Sequence, residues 1–257
     1  MAWLVSINIF MNILISGCSF TQWPECPGGP NTCWPRFLSE LRPSDSITSV
    51  AEAAAGNQYI CDSIIRTILE QPDHYNQVLV MWSGVTRLDF LTDVSDPNWS
   101  ALFDSYGFYR RLPGDKLGWI FSGGQLGTWF KNPVAHKMFY EQYKVSSELT
   151  LAYTNLMEMV KLQNFLENKK IPYKFMSYVN YWNDVERVSP NGDFGVFRHP
   201  ELKYVINELD FNNWIFRNKQ RDGVYELAKE LKNFADDGFH PGSATYKKWA
   251  EFVNTKI

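Results

Sequence analysis

Cysteine and histidine are both scarce in this chain of 257 residues, which contains four of each. Four cysteines are far too few to hold together a disulfide scaffold. Cys26 and Cys33 flank a Pro-Gly-Gly-Pro turn, so they could pair in an oxidising compartment or remain loop thiols, and we expect free thiols. A single pair at this spacing does not supply the four ligands of a structural zinc site, so no metal is predicted.

Long basic runs are absent as well. No stretch of Lys and Arg exceeds two residues, and the formal net charge is −3, so the chain has no electrostatic footprint for a nucleic acid. The turn after the first predicted strand also lacks the Gly-x-Gly-x-x-Gly and Gly-Lys-Ser/Thr phosphate loops. This argues against a flavin- or nucleotide-binding protein, which would share the same kind of sheet.

No hydrophobic run is long enough to span a membrane. The segment Met1–Ile15 is almost wholly apolar, but it is short and is interrupted by Asn8 and Asn12. No Lys or Arg precedes it, and it continues into a predicted strand, which disfavours a secretory signal. We therefore expect a cytoplasmic protein in which residues 1–10 form an N-terminal extension before an alternative start at Met11.

Aromatic residues are abundant, at 16% of the chain, whereas the hydrophobic share of 45% and the charged share of 21% are ordinary for a folded protein. The excess favours an aromatic-lined cleft or a partner surface, and packing of large loops would explain it equally well. The length suits one large α/β domain, and we expect residues 1–257 to form a single domain.

Short apolar segments alternate with segments of helical periodicity. The strand pattern falls on residues 12–16, 46–51, 78–82 and 173–179, and the helical pattern on 34–41, 60–69, 146–168 and 243–254. This alternation is typical of βαβ units and predicts a parallel sheet between layers of helices. Two aromatic-rich, weakly periodic segments, 90–143 and 180–235, are predicted to be insertions at strand ends, where they would wall a ligand site.

Two polar segments near opposite ends of the chain are candidates for catalysis. Ser19 directly follows the first strand, close to helix-N-terminal amides, although a serine there can also be a simple helix cap. Asp237 and His240 share a Gly-containing turn, where the carboxylate could fix the imidazole tautomer or merely cap a helix beside a surface histidine. Together the three residues supply the nucleophile, base and orienting acid of acyl transfer.

These segments resemble conserved blocks of the SGNH, or GDSL-like, hydrolases. The turn at Ser19 is similar to the opening Gly-Asp-Ser block, and the turn from Asp237 to His240 is similar to the closing Asp-x-x-His block. The second and third blocks have counterparts at Gly56 and at residues 83–87. The resemblance implies a flavodoxin-like three-layer α/β/α sandwich, with Ser19 as nucleophile, His240 as base, Asp237 as its partner, ester substrates and no cofactor.

The resemblance also implies an oxyanion hole formed by the amides of Ser19 and Gly56 and by a side chain of the third block. This sequence has Thr86 and Arg87 where the family has Asn and Asp, so the Thr86 hydroxyl or the Arg87 guanidinium would supply the third donor. Two other roles are open to Arg87: it could bind a substrate carboxylate or phosphate, or it could pair with Asp89.

The predicted function is serine-dependent ester hydrolysis, in which a small acyl group such as acetyl is removed from a carbohydrate-like substrate. The carbohydrate part depends on the aromatic insertions, where Trp119 and Trp129 are predicted to wall the substrate site. The alternative is a catalytically degenerate module of the same fold, such as a glycan-recognition or particle-associated protein, which would belong to a secreted or particle assembly.

Overall fold

The computed structural model describes residues 10–22, 33–96, 109–114, 116–123, 133–182 and 196–257. The strands are β1 (Asn12–Ser16), β2 (Ser46–Ser49), β3 (Gln77–Trp82), β4 (Asp89–Asp93), β5 (Tyr109–Arg111), β6 (Leu117–Phe121) and β7 (Tyr173–Ser177). The α-helices are α1 (Trp34–Leu41), α2 (Asn57–Glu70), α3 (Pro133–Val145), α4 (Glu148–Lys169), α5 (Lys203–Ile206), α6 (Val224–Leu231) and α7 (Ser243–Asn254).

A parallel sheet of four strands, in the order β2-β1-β3-β7, forms the centre of the fold. Every residue of β3 is buried, as expected for a strand that is covered on both faces. Beyond β7, Trp214 makes a parallel bridge to Phe175, and the Ile215 amide donates to the Phe175 carbonyl at 2.7 Å. The predicted parallel sheet is confirmed, and this bridge extends it by one short segment.

Helices cover both faces of this sheet. From β1 the chain moves to β2 on one side and later to β3 on the other, so right-handed crossovers place α1 and α2 on opposite faces. Helix α7 packs on α1, and α4 packs on α2. The result is the flavodoxin-like three-layer α/β/α sandwich, in which the carboxyl ends of β1, β2, β3 and β7 meet at one edge.

The observed ends of several elements differ from the predicted ones by a few residues. Helix α4 begins at Glu148 rather than at residue 146, because the Ser147 hydroxyl accepts a hydrogen bond from the Thr150 amide and so forms the N-cap. The helix ends where Lys170 adopts a left-handed conformation with φ of 56°. Strands β2 and β7 each end two residues earlier than predicted.

The described part of residues 90–143 contains regular structure, whereas the sequence predicted an irregular segment. An antiparallel sheet has the order β4-β6-β5 and is followed along the chain by α3. Strand β5 has only three residues, and four of the five residues of β6 are buried, so neither strand shows the alternation that marks a half-exposed strand.

Aromatic side chains form much of the core. The largest fully buried side chains of the described residues are all aromatic, and they include Trp34, Trp82 and Trp249. Packing of the interior therefore accounts for a large part of the aromatic excess.

The described cysteines are thiols in the interior. Cys18, Cys33 and Cys61 are free and buried, as expected, and Cys26 lies outside the described residues. No helix in the described ranges combines the length and the apolar character that crossing a bilayer would require.

Candidate active site

Ser19 lies in a tight turn immediately after β1. The amides of Thr21 and Gln22 both donate to the Cys18 carbonyl, at 2.7 and 2.9 Å. A glycine precedes this turn because a Cβ on Gly17 would collide with the Thr21 side chain. The fold thus places the Ser19 side chain, 8% exposed, at the carboxyl edge of the parallel sheet.

Asp237 and His240 form a compact turn that faces Ser19. Asp237 Oδ1 accepts hydrogen bonds from the amides of Phe239 and His240, each at 2.9 Å. Gly238, which follows Asp237, has φ of 69°. His240 Nδ1 lies 2.5 Å from Asp237 Oδ2, and His240 Nε2 lies 2.8 Å from Ser19 Oγ. When Nδ1 carries the ring proton, it donates a hydrogen bond to the Asp237 carboxylate. The unprotonated Nε2 can then accept the Ser19 hydroxyl proton. The structure therefore brings the three predicted residues into one hydrogen-bonded series.

The surroundings of His240 favour its neutral form. Burial lowers the pKa of the imidazole, and the positive charge of Arg87 lowers it further, while Asp237 acts in the opposite direction. For Asp237, burial raises the pKa, but the hydrogen bonds from the His240 ring and from the Phe239 and His240 amides outweigh it, so the pKa is lowered. At neutral pH the pair is a neutral base beside an ionised carboxylate, as general base catalysis requires.

Aromatic rings supply the apolar environment of this imidazole. The Phe20 ring lies 4.8 Å from the His240 ring and the Phe239 ring lies 5.0 Å from it, measured between centroids. The Phe20 ring also lies 4.4 Å from that of Tyr178, which follows β7. The imidazole is therefore packed between a ring from the Ser19 turn and a ring from its own turn, and Tyr178 supports the first of these rings.

The lowered pKa of His240 predicts the pH dependence of any hydrolysis at Ser19. A protonated imidazole cannot accept the serine proton, so kcat/KM should fall as the pH decreases. The midpoint that belongs to His240 should lie below its ordinary value of 6.5, and activity should be constant from there through neutral pH. A pH–rate profile with a short-chain aryl ester measures this midpoint. A midpoint clearly above 6.5 would contradict the assigned environment.

Gly56 does not offer its amide to the site. The Gly56 amide donates to Asp89 Oδ1 at 2.7 Å, and the Tyr59 amide donates to Asp89 Oδ2 at 2.9 Å. The carboxylate thereby satisfies two of the amides that the start of α2 leaves without partners within the helix. The Gly56 amide is not available to an oxyanion, and the prediction that it is a donor is corrected.

The third-block segment lies inside the protein rather than on its surface. Arg87 is 6% exposed, and its Nη1 donates to the Ala55 carbonyl at 3.2 Å. Its charge lowers the pKa of His240 and opposes the burial that raises the pKa of Asp89 to about 7, so it lies within electrostatic range of both side chains. The Thr86 carbonyl accepts a hydrogen bond from the Tyr143 hydroxyl. This bond fixes the Thr86 backbone, and the role of its hydroxyl stays a prediction.

The two tryptophans predicted to wall the site have different outcomes. Trp119 is 2% exposed, and its indole packs edge-to-face on the Tyr59 ring at 5.9 Å. A side chain enclosed between β6 and α2 cannot contact a substrate, so Trp119 is a core residue and that prediction is corrected. Trp129 lies outside the described residues.

A buried amide network near the site was missed from the sequence. Asn57 Nδ2 donates to the Ser83 carbonyl at 3.0 Å and to Asn155 Oδ1 at 2.6 Å, and the Ser83 amide donates to Asn57 Oδ1 at 2.7 Å. Asn155 Nδ2 in turn donates to the Val85 carbonyl at 2.9 Å. The network ties the second-block loop to the third-block loop and to α4. An asparagine on the apolar face of a long helical pattern was the available signal, because a buried polar group needs partners.

Comparison with known proteins identifies the fold. No family model matches the chain, and no curated protein matches it. Among solved structures, an acetyl xylan esterase is similar with a TM-score of 0.52 at 10% identity, with 96% of this chain and 100% of that chain covered. A catalytic mutant of an acetylxylan esterase from Geobacillus stearothermophilus gives a TM-score of 0.51 at 10% identity, with 96% of this chain and 93% of that chain covered.

The chain shares the fold of these two structures along nearly its whole length. At such low identity the similarity extends to the fold alone, so the chemistry has to be argued from the residues of this chain.

Proposed function

We propose that this protein is a serine ester hydrolase in which Ser19 is the nucleophile, His240 the general base and Asp237 the residue that orients the base. The observation that carries the proposal is the hydrogen-bonded series from Ser19 Oγ through both ring nitrogens of His240 to Asp237 Oδ2, with distances of 2.8 and 2.5 Å. A helix-capping serine or a surface histidine would have no need of this arrangement.

The arrangement supports a two-step acyl transfer. Ser19 Oγ attacks the ester carbonyl carbon while its proton passes to His240 Nε2. The tetrahedral intermediate then collapses, the carbon–oxygen bond to the alcohol breaks, and the imidazolium returns the proton to that alcohol. Water attacks the acyl-enzyme in the same way, so the acid is released and the proton returns to Ser19 Oγ.

The negative charge that develops on the carbonyl oxygen needs stabilisation of its own. The Ser19 backbone amide remains the first proposed donor, and the Thr86 hydroxyl remains a proposed donor from the third-block loop. Arg87 adds a fixed positive charge within range of His240 in a largely buried setting, where electrostatic interactions are less screened than in water. This charge would compensate for the asparagine that the third block lacks.

The proposed substrate is an ester with a small acyl group such as acetyl on a carbohydrate-like alcohol. The two solved structures described above are an acetyl xylan esterase and a mutant of an acetylxylan esterase, and they support this choice. Initial rates with acetyl, butyryl and octanoyl esters of one aryl alcohol would test the acyl part. Acetate release from acetylated xylan would test the alcohol part.

A covalent serine probe tests the reaction class. A fluorophosphonate phosphonylates a serine, with loss of fluoride, where a base activates the hydroxyl, so we expect labelling of the wild-type chain at Ser19, located by mass spectrometry of the labelled peptide. Labelling should be absent in Ser19→Ala. It should persist in Ser49→Ala, which removes a hydroxyl at the end of the neighbouring strand β2.

The probe also separates the enzyme from the degenerate binding module. The loss of the Gly56 amide as an oxyanion donor is the observation that favours the module, because one missing donor costs about 10²- to 10³-fold in kcat in other hydrolases. A folded chain that is not labelled and does not hydrolyse any of the acyl esters would support the module and end the esterase proposal.

A further inference from the structure

Asp89, the first residue of β4, lies in an unusual position for a carboxylate. It is 7% exposed, and its two oxygens accept the amides of Gly56 and Tyr59. These amides belong to the start of α2, at least 30 positions earlier in the chain. Asp89 is therefore a helix cap supplied by a distant strand, and its charge faces the positive end of the helix dipole.

The same short segment holds the second-block loop from a second direction. Arg87 Nη1 donates to the Ala55 carbonyl at 3.2 Å, so the carbonyl and the N–H of the Ala55–Gly56 peptide group are held by a guanidinium and by a carboxylate, respectively. The contact is close: a Cβ on Gly56 would lie 2.8 Å from Asp89 Oδ2. Ala54, two residues before Gly56, has φ of 66°. This conformation is unfavourable for a residue with a Cβ, so the surroundings of Ala54 must impose it.

The second-block loop, from Ala54 to Asn57, adjoins the turn that contains Ser19, which we call the nucleophile turn. The Glu52 amide donates to the Gly17 carbonyl at 3.1 Å, and Gln22 Nε2 donates to Glu52 Oε1 at 3.4 Å. The Ala55 amide donates to the Glu52 carbonyl at 3.3 Å, so a shift of the loop would be transmitted through Glu52 to the backbone before Ser19 and to the Gln22 side chain after it. On the other side, the segment that contains Asp89 also carries Arg87, whose charge acts on His240.

We propose that Asp89 is a positioning residue for the Ser19–His240 site, because it fixes the loop from Ala54 to Asn57 against the nucleophile turn and so sets the geometry in which the transition state is bound. The inference rests on the proposed esterase function. It assigns to Asp89 an effect on kcat, since a displaced loop would move the Ser19 turn, whose backbone amide is the first proposed oxyanion donor.

The ionised carboxylate of Asp89 is the form that can accept both amide hydrogen bonds. Burial, with a smaller contribution from Glu158 on α4, raises the pKa of Asp89 to about 7, although the Tyr59 and Gly56 amides and the charge of Arg87 act in the opposite direction. A protonated carboxyl would direct a hydroxyl towards one of two amide donors, so both bonds can be made only by the ionised group.

The test is Asp89→Asn in the full chain. The substituted side chain has nearly the same size but keeps only one acceptor oxygen, so one of the two amides loses its partner. We expect kcat for a short-chain aryl ester to fall by about 10- to 100-fold while KM changes by less than about 2-fold. Fluorophosphonate labelling at Ser19 should still occur, at a lower rate.

Asp45→Asn is the matched control. Asp45 is also a buried carboxylate: it accepts from the Met11 amide at 3.1 Å and from Arg42 Nε at 2.5 Å, and its side chain is 3% exposed. It lies near the amino end of β1, away from Ser19. We expect Asp45→Asn to lower the melting temperature at least as much as Asp89→Asn, with kcat unchanged.

A second variant covers the case in which Asp89→Asn does not fold. Gly56→Ala adds a Cβ that must push the carboxylate away from the loop, and it should lower kcat with little change in KM. An active wild-type enzyme whose folded Asp89→Asn or Gly56→Ala variants keep full kcat would overturn the inference. An unlabelled, inactive wild type would instead remove the proposed function itself.

Discussion

A Ser19→Ala variant is expected to lose at least about 10⁴-fold in kcat for a short-chain aryl ester. The substitution removes the only atom that could form the acyl-enzyme while leaving His240 and Asp237 in place. Ser19 is 8% exposed, and its hydroxyl contacts the His240 ring, so the loss of this oxygen should change the melting temperature little. Steady-state kinetics and thermal unfolding of the same preparation measure both quantities.

The residual kcat of Ser19→Ala has to be compared with its melting temperature. A Ser19→Ala chain that unfolds at the wild-type temperature and has no measurable turnover identifies the nucleophile. A variant that retains a tenth or more of the wild-type kcat would show that the nucleophile is another group, whatever the distances in the resting structure.

His240→Ala should produce a loss of similar size, about 10⁴-fold or more, because the Ser19 hydroxyl is a weak nucleophile without a base to take its proton. Asp237→Asn should also be severely impaired, since an amide in place of Oδ2 can turn its NH₂ towards Nδ1 and favour the tautomer that protonates Nε2. Rates measured with one aryl ester, together with circular dichroism spectra, test both variants.

His199 provides a matched control for the histidine. It too lies close to a carboxylate, with its Nε2 3.6 Å from Glu148 Oε1, but it precedes a short 3₁₀ helix that is remote in sequence from the Asp237 turn. His199→Ala should keep the wild-type kcat. Equal losses in the two variants would mean that the effect is on the fold rather than on proton transfer.

The parallel sheet was predictable because each central strand is covered on both faces. Such a strand consists of consecutive apolar residues, which can be recognised in the sequence. The pairing of Ser19 with the Asp237 turn was predictable for another reason: both segments follow or precede regular elements whose ends must meet at the carboxyl edge. In each case, local sequence and the rules of chain connection were sufficient.

The error at Gly56 has a different origin. Whether its amide faces a substrate or a carboxylate depends on Asp89, which is 33 residues away and belongs to a sheet that the sequence did not predict. Trp119 was misplaced for the same reason, since the burial of β6 follows from its packing on α2. Contacts between elements decide how the Gly56 amide and the Trp119 side chain are oriented. The periodicity within one element does not predict these contacts.

The hydrogen bond between Ser19 and His240 joins positions 221 residues apart. His240 lies just before the last helix, α7, which packs on α1. Contacts of such long range form late in folding, because the entropy of closing the chain must be overcome first. Without this contact Ser19 would lack its proposed base, so fluorophosphonate labelling of Ser19 would also report that the two ends of the described chain have packed together.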